Sequence, residues 1–126
     1  MPRSSPKPPK YAFMKRAALT FPGTVEVIDR HGYWLNVGKK TFALCSYREP
    51  RWILRLPKEQ VRMLVEADPE VFAPMIAGAL LWLYVDVAKL DAATLRGYLE
   101  AAWRYTAPKK LQAQYGQPRT SPKQMR

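Results

Sequence analysis

Residues 24–56, TVEVIDRHGYWLNVGKKTFALCSYREPRWILRL, decide the fold. Apolar side chains recur at every second position. Val25 and Val27 come first, then Tyr33, Leu35 and Val37 alternating with Trp34 and Asn36, then Phe42 and Leu44 on one face of Thr41 to Tyr47. A period of two is the mark of a strand with one face buried. Turn residues punctuate the run at His31-Gly32, at Gly38-Lys39-Lys40 and from Tyr47 to Pro50. Glycine supplies the positive φ that short hairpin loops need. Arg51 to Leu56 closes the stretch, with Trp52, Leu54 and Leu56 on one face and Arg51, Ile53 and Arg55 on the other. The stretch predicts a four-stranded antiparallel meander.

Working outward, Met14, Ala17, Ala18 and Phe21 are spaced by three and four residues, which predicts a short amphipathic helix over Tyr11 to Thr20, stopped by Pro22-Gly23. Beyond the meander, Pro57 suits a first helical turn, where its missing N–H costs nothing, and Glu59 suits the positive end of the dipole. Val61, Leu64 and Val65 form that helix's inner stripe, Arg62 sits at ion-pair spacing from Glu59 and Glu66, and Asp68-Pro69 ends it. Pro74 and Gly78 then mark an irregular stretch. Leu80 to Asp86 alternates with both faces apolar, the pattern of a strand well inside a sheet. Asp91 caps a longer helix with the stripe Leu95, Tyr98, Leu99 and Ala102, and Thr106-Ala107-Pro108 restarts a short last one. The order is helix, four strands, helix, strand, helix. That is an α+β fold, a mostly antiparallel sheet of a meander plus a later strand, packed by helices.

The 126 residues suffice for one domain with a single core. Twenty-one Lys and Arg against ten Asp and Glu give a net charge of +11, all of it at the two ends. Residues 1–16 hold five basic side chains and no acid, residues 104–126 hold six and no acid, and residues 17–103 balance at ten against ten. Four of the twelve prolines fall in residues 1–10. Residues 1–9 and 116–126 therefore read as mobile basic tails flanking a domain at 10–115, since such segments bury too little apolar surface to offset their ordering entropy. Basic tails grip polyanions without sequence preference, or serve solubility. One Cys cannot form an internal disulfide, and the first ten residues have no apolar stretch, which predicts a cytoplasmic protein. The apolar run Met75 to Val85 is about half the length of a membrane span, so no membrane partner is expected.

Catalytic patterns are missing. There is no GxGxxG, no phosphate loop ending in Lys-Ser or Lys-Thr, no CxxC and no HExxH, and one His plus one Cys cannot hold a structural zinc. Cys45 lies mid-strand among apolar residues, as an inert thiol does, and His31 sits in a turn where it needs no chemical role. Glu26, Asp29 and Asp86 are most simply ion-pair partners of groups such as Arg30 or Arg48. The chain reads as a non-enzyme without cofactor or metal. Among the aromatic residues, Trp34 stands out, because it points away from the Tyr33, Leu35, Val37 face on a strand leading into Lys39 and Lys40. An exposed aromatic beside cations is a stacking platform for bases; the alternative for Trp34 is partial burial under a helix or in a dimer contact.

The runs AALTFPGTVEV, YWLNVGKKTFAL, LRLPKEQVRMLVEADPEVFAP and WLYVDVAKLDAATLRGYLEAAWRYTAPKKL, over about residues 11–111, resemble the MmcQ/YjbR family of small bacterial proteins. The likeness rests on an ordered set of motifs: Pro22-Gly23, Gly38-Lys39-Lys40 before Phe42, Leu56-Pro57, Asp68-Pro69, Asp91 and Ala107-Pro108-Lys109. It implies a double-wing α+β domain, likened to frataxin-type proteins, and DNA binding. Iron binding of the frataxin kind would need an acidic first helix, whereas this one carries Lys10, Lys15 and Arg16. The candidate nucleic-acid contacts are Lys39 and Lys40 in one hairpin turn, Arg48, Arg51 and Arg55 near the next, Lys109 and Lys110, with Trp34 as the aromatic. The competing reading is a protein-interaction module that docks a partner on the sheet face at Trp34 or Trp52. The expected partner is thus duplex DNA or a protein, with the oligomeric state open.

Overall fold

The computed structural model describes residues 8–116. Helix α1 (Tyr11–Ala18) precedes strands β1 (Thr24–Ile28), β2 (Gly32–Val37), β3 (Lys40–Ser46) and β4 (Trp52–Leu54). Helix α2 (Lys58–Ala67), strands β5 (Phe72–Ala77) and β6 (Leu80–Val85), a 3-10 turn at Val87–Lys89, and helices α3 (Ala92–Thr106) and α4 (Lys109–Gly116) follow. The strands form one antiparallel sheet in the order β1-β2-β3-β4-β6-β5.

The inner face is built row by row. Tyr33, Cys45, Trp52, Val85 and Phe72 stand side by side across five strands, and Leu35, Ala43, Leu54 and Leu83 form the next row. Against these rows pack Met14, Ala17 and Ala18 of α1, Val61 of α2, and Leu95, Leu99, Ala102 and Trp103 of α3, all in one core. Asp91 accepts from the Thr94 N–H at 2.7 Å and caps α3 as its sequence position predicts. Long-range hydrogen bonds tie the two halves of the chain together. Lys10 Nζ donates to the Leu90 carbonyl (3.1 Å), an Arg96 nitrogen to Thr20 Oγ1 (3.0 Å), and Trp103 Nε1 to the Pro22 carbonyl (3.2 Å).

The structure departs from the sequence reading at four places. The stretch around Pro74 is a strand, β5, paired only with β6. Proline is tolerated on such an edge because one side of the strand needs no donor. A bulge between the Leu35 and Asn36 pairings leaves Phe42 as the extra residue, so Phe42 and Ala43 are both buried and Leu44 faces outward rather than sharing a face with Phe42. Val27 pairs with Trp34 and Val25 with Asn36, which puts both valines on the outer face. Glu26 faces α1 instead, where Tyr11 Oη donates to it at 2.6 Å and Lys15 pairs with it at 3.2 Å. Finally, among the described residues no ion pair joins Arg62 to Glu59 or Glu66.

The N-terminal tail reading falls largely outside the described residues, apart from Pro8 and Pro9. Pro8 is buried, and the Pro9 carbonyl accepts from Trp52 Nε1 at 2.8 Å. The residues beyond 116 lie outside the description as well. No helix among the described residues is long and apolar enough to cross a membrane.

Candidate nucleic-acid interface

Strands β3 and β6 both run antiparallel to β4 and are therefore parallel to each other. Each begins just after a tight turn. Val37 pairs with Lys40 around Gly38-Lys39, and Ala77 pairs with Leu80 around Gly78-Ala79. Gly38 (φ 63°) and Gly78 (φ 61°) hold the first central position, where a II′ hairpin needs positive φ. Both hairpin tips consequently project from the same end of the sheet.

That end collects cations. Lys39 and Lys40 sit at the first tip, and Arg55 extends β4 toward it. Lys58 opens α2, and Lys109 and Lys110 open α4. Among the described residues none of these six forms an ion pair, and Glu59 is the one acid in the adjoining first turn of α2. Arg104, near the end of α3, is held by Glu100 at 3.0 Å. The opposite end is mixed in sign: its loops and caps carry Asp29, Glu49, Asp68, Glu70, Asp86 and Asp91 together with Lys10, Arg30, Arg48, Arg51 and Lys89. The equal count of residues 17–103 thus conceals an uneven placement, with Lys39, Lys40, Arg55 and Lys58 gathered at the hairpin end without ion-pair partners among the described residues. The positive N-termini of α2 and α4 add to the basic side.

Between the first tip and the start of α4 runs a groove of about 420 Å³ lined by Val37 to Lys40 and by Tyr105 to Lys109. Lys39, Lys40 and Lys109 therefore border one concavity. Tyr105, half exposed, joins Arg55 to it. The Arg55 guanidinium lies 5.5 Å from the Tyr105 ring and 5.9 Å from that of Trp82. Cations on a concave surface beside a helix N-terminus suit phosphate oxygens, which need charge and N–H donors but no base-specific pattern.

Five of the sequence candidates, Lys39, Lys40, Arg55, Lys109 and Lys110, are brought together. Three are not. Arg48 lies in the β3–β4 turn at the far end, and Arg51 stacks 3.8 Å above the Tyr84 ring while its Nε donates to Glu49 at 2.7 Å. Trp34 faces outward as expected, but its Nε1 donates to Asp29 Oδ1 at 3.0 Å, away from Lys39 and Lys40. The same carboxylate accepts from the His31 and Gly32 N–H groups. These bonds, the Trp34 one first, hold Asp29 below the usual carboxylate range. Lys58, Tyr105 and the second hairpin tip were not singled out from the sequence. The Pro57 start of α2 at the end of β4 was the available signal for Lys58.

Cys45 is buried, which pushes its thiol up to about 11, while His31 is exposed. Among the described residues no group of three or more His, Cys, Asp or Glu could hold a metal ion.

No curated protein matches the chain in sequence. In structure it is similar to a Deinococcus radiodurans protein, DR2400, a DUF419 domain, with a TM-score of 0.65 over 97% of both chains at 18% identity. That likeness extends to the fold. The model of the YjbR family matches residues 19–105, from the end of α1 through the sheet to Tyr105, so the chain belongs to the YjbR family.

Proposed function

We propose that the chain is a non-catalytic cytoplasmic DNA-binding protein that seats duplex phosphates on the hairpin end of its sheet. The observation that carries this reading is the gathering of Lys39, Lys40, Arg55, Lys58, Lys109 and Lys110, without acidic partners among the described residues, at one end of a domain whose other end mixes acids and bases. The basic residues outside the described ones, Arg3, Lys7, Arg119, Lys123 and Arg126, would add counterion release. The test is a salt series of duplex binding by the full chain. Six phosphate contacts give a slope of log K against log salt of roughly −5, to which the terminal charges add. Replacing Lys39, Lys40, Lys109 and Lys110 by Gln is expected to reduce the slope's magnitude by about 3.6, at 0.9 per contact. Absence of duplex binding at about 50 mM salt, or an unchanged slope in the quadruple variant, would refute the reading.

A second reading, docking of a protein partner on the outer sheet face, is favoured by the exposure of Val25 and Val27 along the β1 edge. An edge strand of this kind offers both apolar surface and unpaired backbone groups. Saturating duplex binding that leaves Val27→Lys indistinguishable from wild type would separate the two.

A further inference from the structure

Residues Val71 to Val85 carry no charged side chain, and they build the β5–β6 hairpin at the edge of the sheet. Exposed edge hairpins are ordinarily protected by charge. This one ends instead in Ala77-Gly78-Ala79, with Ile76 69% and Leu80 51% exposed. Ile76 pairs with Leu81 and Leu80 with Ala77, on successive rows, so the two large side chains stand on opposite faces of a narrow tip. Its neighbour across the same end of the sheet is the Gly38-Lys39 tip. Three strand spacings separate the midlines of the two hairpins in the order β2-β3-β4-β6-β5, about 14 Å. Between them lie Arg55 and the N-terminus of α2 with Lys58.

We propose that the β5–β6 tip is an apolar wedge that enters a base-pair step of the bound duplex and kinks it, while the lysines of the other tip and of α4 hold the flanking phosphates. This rests on the duplex-binding reading above and adds a deformation to it. Apolar side chains inserted at a flexible step unstack it and bend the helix, and the cost is offset by phosphate contacts that only bent DNA can reach. A convex duplex fits a surface with two tips and a cationic floor. A flat lipid surface would rest on the tips and leave Arg55 and Lys58 out of reach.

The experiment uses the full chain and a short duplex with a central TA step, carrying 2-aminopurine at that step and a dye pair at its ends. Wild type is expected to raise 2-aminopurine emission and shorten the end-to-end distance. The double variant Ile76→Ser, Leu80→Ser, both exposed positions, is expected to lose both signals and to bind roughly tenfold more weakly while keeping the salt slope, because no cation has been removed. A bound duplex that stays straight and stacked overturns the wedge alone. A chain that fails to bind duplex overturns the wedge together with the reading beneath it. Bending that survives the double variant overturns the wedge, as does Ile76-dependent sedimentation with phosphatidylserine vesicles when the duplex stays straight, which would assign the tip to lipid.

Discussion

Replacing Gly32 by Ala sets a side chain against backbone. A Cβ built on Gly32 would lie 2.3 Å from the Cys45 carbonyl oxygen and 3.0 Å from Ser46 Cα. Ordinary carbon–oxygen contacts begin near 3.3 Å, so strands β2 and β3 must part by about 1 Å at this point. An N–H···O bond stretched that far is no longer one. The bond at risk is Tyr47 N–H to the His31 carbonyl (3.0 Å), which joins the start of β2 to the end of β3. One lost bond at about 1 kcal/mol, with a packing strain of about 1–3 kcal/mol, gives a destabilisation of about 2–4 kcal/mol. For a domain near this size that lowers Tm by roughly 8–16 °C. Gly97, within α3, supplies the opposite sign. Its Cβ would meet nothing within 4 Å, so Gly97→Ala is expected to gain about 1 kcal/mol from helix propensity alone. Thermal unfolding followed by tryptophan fluorescence measures both. A Gly32→Ala variant melting within about 2 °C of wild type would show that the strands are not packed this closely.

Three further outcomes are expected. Burial, then the hydrogen bond to Glu26, raises the Tyr11 hydroxyl from 10.0 to about 12. Its contribution to stability is therefore complete below pH 10.0 and lost on rising toward about 12, and Tyr11→Phe should flatten the alkaline limb of a urea-midpoint profile. Asp29 is held low by its three donors, so its contribution is present above the ordinary carboxylate pKa and fades as pH falls. Asp29→Ala should reduce the acid-side slope of Tm and alter Trp34 emission. Cys45, buried and with its thiol raised to about 11, should resist iodoacetamide at about pH 8 until the chain unfolds. Rapid alkylation without loss of structure would contradict its burial.

The meander was legible because alternation and turn residues agree along it, and Trp52, Leu54 and Leu56 face the core as their spacing indicates. The β5 strand was not, since Pro74 and Gly78 break the pattern locally. Only the pairing with β6 shows that the proline occupies an edge and the glycine a hairpin turn. The faces of β1 were also hidden, because two valines at alternate positions suggest a core, yet the position facing the helices is taken by a glutamate with partners on α1. At the candidate interface, individual cations could be named from the sequence, but their grouping could not. It depends on β3 and β6 running the same way and on α4 starting beside the first hairpin, facts of topology that separate Arg48 from Lys39 although nine residues apart in sequence.

The hydrogen bonds from Lys10 to Leu90, Arg96 to Thr20 and Trp103 to Pro22 span 80, 76 and 81 residues. Such closures bear on the order of events during synthesis. The first helix and the meander leave the ribosome well before α3, so their inner rows of Leu35, Ala43, Cys45 and Trp52 stay uncovered until Trp103 has emerged. Contacts this distant in sequence slow the search for the native state. The uncharged segment from Val71 to Val85 is also exposed during that interval. Aggregation of nascent chains is therefore the hazard this topology carries, and a stall placed between β6 and α3 is where it should be greatest.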